Sequence, residues 1–167
     1  MKTVEKIDFN NPVVVQCFDK DGNLKWEEDI RNGITDEGIE YLLGLGFRNS
    51  PTTITPWYIG LVDNSGFSAF AAADTMSSHT GWTEFVNYSE ATRPEWTADA
   101  PASRATTNST TVDFTINGVG GTVKGIFITS VNTKSGTTGT LWSTAAFSSA
   151  ATVVSSDTLK ITYTISG

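Results

Sequence analysis

The sequence predicts a mainly β protein: an antiparallel β-sandwich or jelly-roll-like domain with one short α-helix at about residues 35–45. Two observations carry this prediction. Apolar and polar residues alternate in segments such as 157–166, as they do in half-buried strands. Clusters of Gly, Ser, Thr and Asn separate these segments at short intervals, which is typical of sandwiches. We expect a single domain at residues 13–167, preceded by an N-terminal arm at residues 1–12.

A β-hairpin is predicted directly after the arm. Residues 13–18 are β-branched and aromatic, residues 20–23 form an Asp- and Gly-rich turn, and residues 24–30 alternate as the second arm. Residues 17–28 also overlay the template of a calcium-binding loop. However, the first ligand position is Cys17, whereas calcium prefers oxygen, and the flanks are strands rather than helices. We therefore favour a plain hairpin turn and expect no metal.

The predicted helix follows the hairpin. Thr35 is placed to cap its N-terminus, and two acids in the first turn face the positive end of the helix dipole. Gly44 or Gly46 is expected to end it, because glycine adopts the left-handed conformation common after helices. The predicted buried stripe consists of Ile39, Leu42 and Leu43.

The remaining strands are predicted from apolar runs and alternation. Residues 57–63 indicate a strand buried on both faces, ended by a turn at 64–66. A long loop covers about residues 64–103, with one helical turn at 71–76, and long ordered loops are often functional. Strands are then expected at 110–116, 122–130, 141–147 and 157–166. Their predicted inward residues are Val112, Phe114, Ile116, Leu159, Ile161, Tyr163 and Ile165.

Composition excludes several classes of function. The formal net charge is −7 and the four arginines are scattered along the chain, so we expect no nucleic-acid partner. No apolar run approaches the roughly 20 residues of a membrane span, and the first residues lack the apolar stretch of a signal peptide. One Cys and one His support neither an intrachain disulfide nor a Cys/His metal site, and we expect no cofactor.

Catalytic constellations are weakly specified. His79 is the only imidazole, and a nucleophilic triad would combine it with Ser77 or Ser78 and with Asp74, but no Gly-x-Ser-x-Gly elbow is present. Two close carboxylates would suit a glycosidase. Since spacing specifies no such pair, we expect no enzyme, and a hydrolase is the alternative. The carboxylates considered are Asp63, Asp74, Glu84 and Glu90.

Aromatic residues in the long loop suggest a contact surface. The segments around Trp82 and Trp96 show no strand period, so these side chains are free to dock on another subunit. The polar N-terminal arm is a second candidate, because such a segment orders itself on a neighbour. The predicted partner-contact residues are Phe9, Pro12, Trp82, Tyr88, Arg93 and Trp96.

Several segments in combination resemble a group of small, β-rich virion structural proteins of tailed bacteriophages. The matching stretches include residues 18–28 (FDKDGNLKWEE), 32–35 (NGIT), 57–61 (WYIGL), 73–76 (ADTM), 81–84 (GWTE) and 139–142 (GTLW). The resemblance covers nearly the whole chain. A broader likeness is to the domains at the base of tail fibres.

The resemblance implies a structural component of the particle. Such proteins are often decoration or cement proteins on the capsid, so the expected partners are the major capsid protein and further copies of the chain. A homo-oligomer, with a trimer favoured, is expected at the capsid surface of the virion after synthesis in the host cytoplasm. The alternative is a tail or tail-fibre-base protein involved in host adsorption. The family supplies no catalytic residues.

Overall fold

Strands dominate the computed structural model, which describes Phe9 and residues 11–167. Among these residues a single short helix lies between the third and fourth strands. The prediction of a mainly β, antiparallel fold with one helix is confirmed. In chain order the elements are β1 (Pro12–Phe18), β2 (Leu24–Arg31), β3 (Gly33–Ile34), α1 (Asp36–Arg48), β4 (Trp57–Asp63), β5 (Thr83–Phe85), β6 (Glu95–Trp96), β7 (Ala105–Thr107), β8 (Val112–Thr115), β9 (Gly121–Thr129), β10 (Leu141–Val153) and β11 (Thr158–Ser166).

Two antiparallel sheets face each other. The first has the order β2-β1-β11-β7, with β8 also pairing with β11; the second has the order β3-β10-β9-β4-β5, with β6 pairing with β4. In the first sheet Val15 lies opposite Ile161, and in the second Ile59 lies opposite Ile128. All four of these side chains are buried, because alternate residues of each strand point between the sheets.

The core consists of these inward-facing residues. The inward positions predicted in β8 and β11 are confirmed, except that Ile165 is only half-buried. Cys17 is also fully buried, on the inner face of β1. The fully buried aliphatic and aromatic residues of this core include Val13, Val15, Phe114, Leu159, Ile161 and Tyr163 from the first sheet and Ile59, Leu61 and Val123 from the second. Phe127 belongs to a second, smaller cluster with Val62, Met76, Trp82 and Leu141.

The hairpin turn between β1 and β2 is organised by one carboxylate. Asp19 Oδ1 accepts hydrogen bonds from the backbone N–H groups of Asp21 and Asn23, at 2.9 Å each. Hydrogen bonds from Asn23 are the main reason that the pKa of Asp19 lies below its usual value. Gly22 adopts a φ of 83°, which the turn requires. The predicted β-hairpin is confirmed. The described residues contain no cluster of three or more His, Cys, Asp or Glu able to hold a metal ion.

Helix α1 begins as predicted but is longer and turned about its axis. Thr35 caps it by accepting a hydrogen bond from the N–H of Gly38, while Asn49, in the left-handed conformation, ends it. The prediction that Gly44 or Gly46 ends the helix is therefore wrong. The predicted buried stripe is also wrong, since Leu42 and Leu43 are 37% and 51% exposed and Ile39 is only half-buried; the buried residues of the helix are Gly38 and Tyr41.

The reason for this rotation is the close approach at Gly38. A Cβ atom there would lie 2.4 Å from the carbonyl oxygen of Trp142, so only glycine lets the helix pack directly on β10. Tyr41, one turn later, fills the adjoining space against Trp57, with the two ring centroids 5.5 Å apart. The small residue, rather than the row of leucines, therefore faces the body.

The long loop at about residues 64–103 contains two short strands, β5 and β6. The helical turn predicted at 71–76 is wrong, because this stretch forms a β-turn in which the N–H of Asp74 donates to the carbonyl of Ala71. The two- and three-residue strands β3 and β7 were not predicted. Strand β10 continues to Val153, beyond the expected end at residue 147.

The N-terminal arm predicted at residues 1–12 lies mostly outside the described residues. Its last two residues belong to the domain: Pro12 begins β1, and Asn11 is 1% exposed. The carbonyl of Asn11 accepts a hydrogen bond from Asn32 N–H, and its side-chain oxygen accepts one from Ser166 N–H. No helix in the described part of the chain has the length and hydropathy required to span a bilayer.

Candidate interaction surface

The structure buries the aromatic and arginine side chains that were predicted to contact a partner. Trp82, Tyr88, Arg93 and Trp96 are 2%, 1%, 1% and 6% exposed. All four side chains therefore pack within the chain, and their contact with a partner stays a prediction. An irregular backbone gives no strand period, yet the loop lies on the body and directs its large side chains inward.

Arg93 and Glu84 form a buried ion pair in this loop. Arg93 Nε donates to Glu84 Oε1 at 2.9 Å, and Arg93 Nη2 donates to Oε2 at 2.8 Å. The guanidinium also donates to the carbonyls of Val131 and Gly136, and it lies 5.1 Å from the ring centroid of Phe127. This arrangement fixes the loop after β9 to the loop that carries Arg93. A cleft of about 250 Å³ lies beside the pair.

Trp82 lines the same cleft and is held by its neighbours. Its indole N–H donates to Asp74 Oδ2 at 3.0 Å, and its ring stacks on His79 with centroids 3.9 Å apart. His79 Nδ1 lies 3.0 Å from the carbonyl oxygen of Trp82. The structure thus brings Trp82 and Arg93 to one cleft, in which polar side chains bond to other parts of the chain.

Trp96 belongs to a second buried network. Its indole N–H donates to Asn108 Oδ1 at 3.0 Å, and that same oxygen accepts from Tyr163 N–H at 2.8 Å. The Asn108 amide nitrogen donates to the carbonyls of Thr110 and Ile161. Burial raises the pKa of the Tyr163 hydroxyl above its usual value. Trp96 therefore joins β6 to β11.

Tyr88 is packed separately from the cleft. Lys134 Nζ lies 3.7 Å from its ring centroid and donates to its backbone carbonyl at 2.8 Å. Burial is the main cause that raises the pKa of the Tyr88 hydroxyl, and burial also lowers the pKa of Lys134. This cation–π contact ties the loop after β9 to the long loop.

Phe9 and Pro12 are the two predicted contact residues that retain surface. Both are half-buried. Phe9 lines a shallow cavity of about 400 Å³ together with Arg104 and Ile165. Of the six predicted contact residues, these two remain candidates for contact with another molecule.

The residues considered for catalysis have structural partners. Ser77 Oγ lies 3.1 Å from Thr75 Oγ1, and Asp63 accepts a hydrogen bond from Ser65 N–H. Glu90 accepts from Thr115 N–H at 3.0 Å. Together with the bonds of Asp74, His79 and Glu84 described above, these contacts stabilise turns and loops.

An exposed apolar face on α1 was missed by the sequence analysis. Leu43 is 51% exposed and Phe47 is 85% exposed, one turn further along. The signal was present, because the two residues are four apart and so share one side of a helix. It was overlooked because the helix was expected to end at Gly44 or Gly46, before Phe47.

A groove opens on the other side of α1, at one end of the sandwich. We call it the α1 groove. Its volume is about 240 Å³, and Thr53 is the only polar residue other than Tyr41 and the tryptophans in its lining. It is lined by Tyr41, Leu42, Leu45, Thr53, Ile54, Trp57, Trp96, Ile128, Trp142 and Ile165.

The apolar face and the α1 groove are therefore the surface features most suited to binding another protein. No protein-family model matches the chain, and no curated protein matches it.

Proposed function

We propose that this chain is a non-enzymatic structural protein of a tailed-phage virion, and that it binds the outer capsid shell as a decoration protein. The observation that carries the proposal is the exposed apolar face of α1. Large exposed apolar side chains on a polar, acidic domain mark a surface that another protein covers. The resemblance of the motifs to phage virion proteins is the reason for proposing a capsid as the assembly to which this surface binds.

The use of the polar side chains supports a structural role. Glu84, the best-placed candidate acid, is committed to Arg93 and to the N–H of Ser135. Asp74 is committed to Trp82 and to the N–H of Ala71. A general acid or base needs a proton that it can exchange with a substrate, whereas these carboxylates hold the loop in place.

The surface chemistry supports a place on the outside of a shell. A net charge of −7 disfavours contact with packaged DNA and keeps free copies soluble. Sixteen serines and 26 threonines provide uncharged hydrogen-bonding groups. On a lattice, many modest contacts repeated by symmetry hold each oligomer through avidity.

The location of the chain in the particle tests the proposal. A cryo-EM map of the intact particle is expected to show its density distributed over the icosahedral shell. Density confined to the tail would contradict the decoration role and favour a tail or fibre-base protein. A particle that lacks the chain would contradict any virion role.

A deletion tests the part played by the N-terminal arm. Removal of residues 1–8 leaves Asn11 and β1 in place, so the domain should fold. Occupancy on undecorated capsids is expected to fall relative to the full chain, because the arm supplies contacts with the shell. Unchanged occupancy would exclude the arm from shell binding.

A further inference from the structure

We propose that copies of this chain bind one another by inserting Phe47 of one copy into the α1 groove of the next. The inference rests on the proposed function in one respect, that the exposed apolar face of α1 is an assembly surface. It adds that the partner of this surface is a second copy of the chain. Both halves of the contact, a projecting ring and an apolar groove, are present in every copy.

Phe47 cannot fill the groove of its own chain. It follows Gly38 by nine residues, which is 2.5 turns of an α-helix, so it lies on the side of α1 opposite the contact with β10. Its side chain is 85% exposed. Leu43, one turn earlier, extends the same apolar surface. A second molecule is therefore required to cover both.

The groove has a suitable size and lining for a phenyl ring. An apolar cavity of about 150 Å³ is sufficient to bind benzene, and the α1 groove measures about 240 Å³. Trp57 and Trp142 in its wall pack with ring centroids 6.0 Å apart. A further aromatic ring would add offset or edge-to-face contacts of the same kind.

The charges near the contact favour a second copy. From Tyr41 to Asn49 the chain has no acidic residue, although the whole molecule carries a charge of −7. Arg48 adjoins Phe47 and forms no ion pair with the described residues. On the groove side, exposed Glu95 directly precedes Trp96. Arg48 beside Phe47 and Glu95 beside the groove are opposite charges that the contact would bring towards each other, while the acidic residues of α1, Asp36, Glu37 and Glu40, all precede Tyr41.

The contact joins two different surfaces, so it is heterologous. Such contacts close into a ring when the rotation between copies allows it and otherwise extend into a filament. A closed ring gives an oligomer of one defined size. Each copy in the ring would donate one Phe47 and accept another.

The mass of the full chain in solution tests the contact. Sedimentation equilibrium is expected to give a discrete multiple of the monomer mass, and Phe47→Glu is expected to raise the apparent dissociation constant about tenfold or more. Val119→Glu is the matched control, since Val119 is 93% exposed in a turn remote from α1 in sequence. The Val119→Glu variant should assemble with the same dissociation constant as the wild type. A monomeric wild type, or assembly that survives Phe47→Glu, would overturn the proposal.

A mixing experiment tests the two-sided nature of the contact. Phe47→Glu leaves the groove intact, whereas Thr53→Glu, at an exposed residue of the groove, leaves Phe47 intact. Each variant alone is expected to be monomeric, and the mixture should form two-chain complexes. Full assembly of Thr53→Glu, or no complex in the mixture, would contradict a heterologous contact. These outcomes do not depend on where the chain lies in a particle, so they are distinguishable from failure of the proposed function.

Discussion

Arg93 and Glu84 meet in a two-bond, side-on ion pair with side chains only 1% and 6% exposed. The pair joins β5 to the segment before β6, and the remaining guanidinium donors bond to carbonyls in the loop after β9. The Arg93 guanidinium thus holds together three segments that are distant in sequence. The long loop owes its order to this interaction as well as to its aromatic residues.

Glu84→Gln is expected to destabilise the fold strongly. Removing one partner leaves the Arg93 charge buried without compensation, a loss of about 3–5 kcal/mol in the free energy of unfolding. Asp29→Asn is the matched control because it breaks the exposed pair with Arg31, which contributes about 1 kcal/mol or less. Urea unfolding of both variants measures the difference. Equal losses would show that the buried pair does not hold the loop.

Two of the three glycines of α1, Gly38 and Gly46, differ in packing and provide a second prediction. Gly38→Ala should destabilise the fold by about 1–3 kcal/mol, since the new methyl group would meet the Trp142 carbonyl. Gly46→Ala has open space around its Cβ and should stabilise the helix by up to about 1 kcal/mol. Thermal unfolding distinguishes them. Two changes of the same sign would contradict the close contact of α1 with β10.

The N-cap of α1 gives a third prediction. Thr35 Oγ1 accepts from Gly38 N–H and donates to the backbone carbonyl of Leu141, so it joins the helix start to β10. Thr35→Ala is expected to cost about 1–2 kcal/mol, whereas Thr35→Ser, which keeps the hydroxyl, should retain most of the stability. Denaturant titrations report both values. A serine variant as unstable as the alanine variant would assign the effect to the methyl group.

Cys17 makes stability depend on pH in the alkaline range. Burial, followed by the nearby Asp157 charge, raises the pKa of its thiol to about 12. An unfolded chain releases this proton near pH 9, because the thiol is then solvated. The protonated Cys17 thiol therefore contributes fully to the free energy of unfolding below about pH 9, and this contribution is lost as the pH rises towards 12.

Cys17→Val removes this titration while preserving a buried apolar side chain. The free energy of unfolding should fall less steeply with pH than in the wild type, by about 1.4 kcal/mol per pH unit between about pH 9 and 12. Val15→Ala, a buried change in the same strand without a titrating group, should lower the curve without altering its slope. Parallel curves for Cys17→Val and the wild type would contradict a buried neutral thiol.

Local pattern was sufficient to predict most of the sandwich. The alternation in β8 and β11 assigns the inner face because one side of each strand must be apolar whatever its partner. The cap at Thr35 and the hairpin turn at Asp19 were also predictable, since each depends on residues within four positions in the chain. These features need no knowledge of distant contacts.

The missed features depend on contacts between distant residues. Arg93 lies in an irregular segment and Trp96 in the two-residue strand β6, and their partners Glu84 and Asn108 carry no local signal that selects them. The rotation of α1 depends on the single close approach of Gly38 to another strand. In β10 the pairing register shifts between Ala146 and Ala151. The exposed serines in this stretch interrupt the apolar pattern, so the sequence does not indicate that the strand continues beyond residue 147.

The position of β11 has a consequence for the order of folding. This strand pairs with β1, β7 and β8, yet its residues are synthesised after all three. The first sheet therefore cannot form while the chain is still being elongated through residue 157. Until then β1 can pair in its sheet only with β2, and the edge of β1 that later binds β11 stays open. The pairing of β1 with β11 joins residues about 140 positions apart, so we expect it to be a late step of folding.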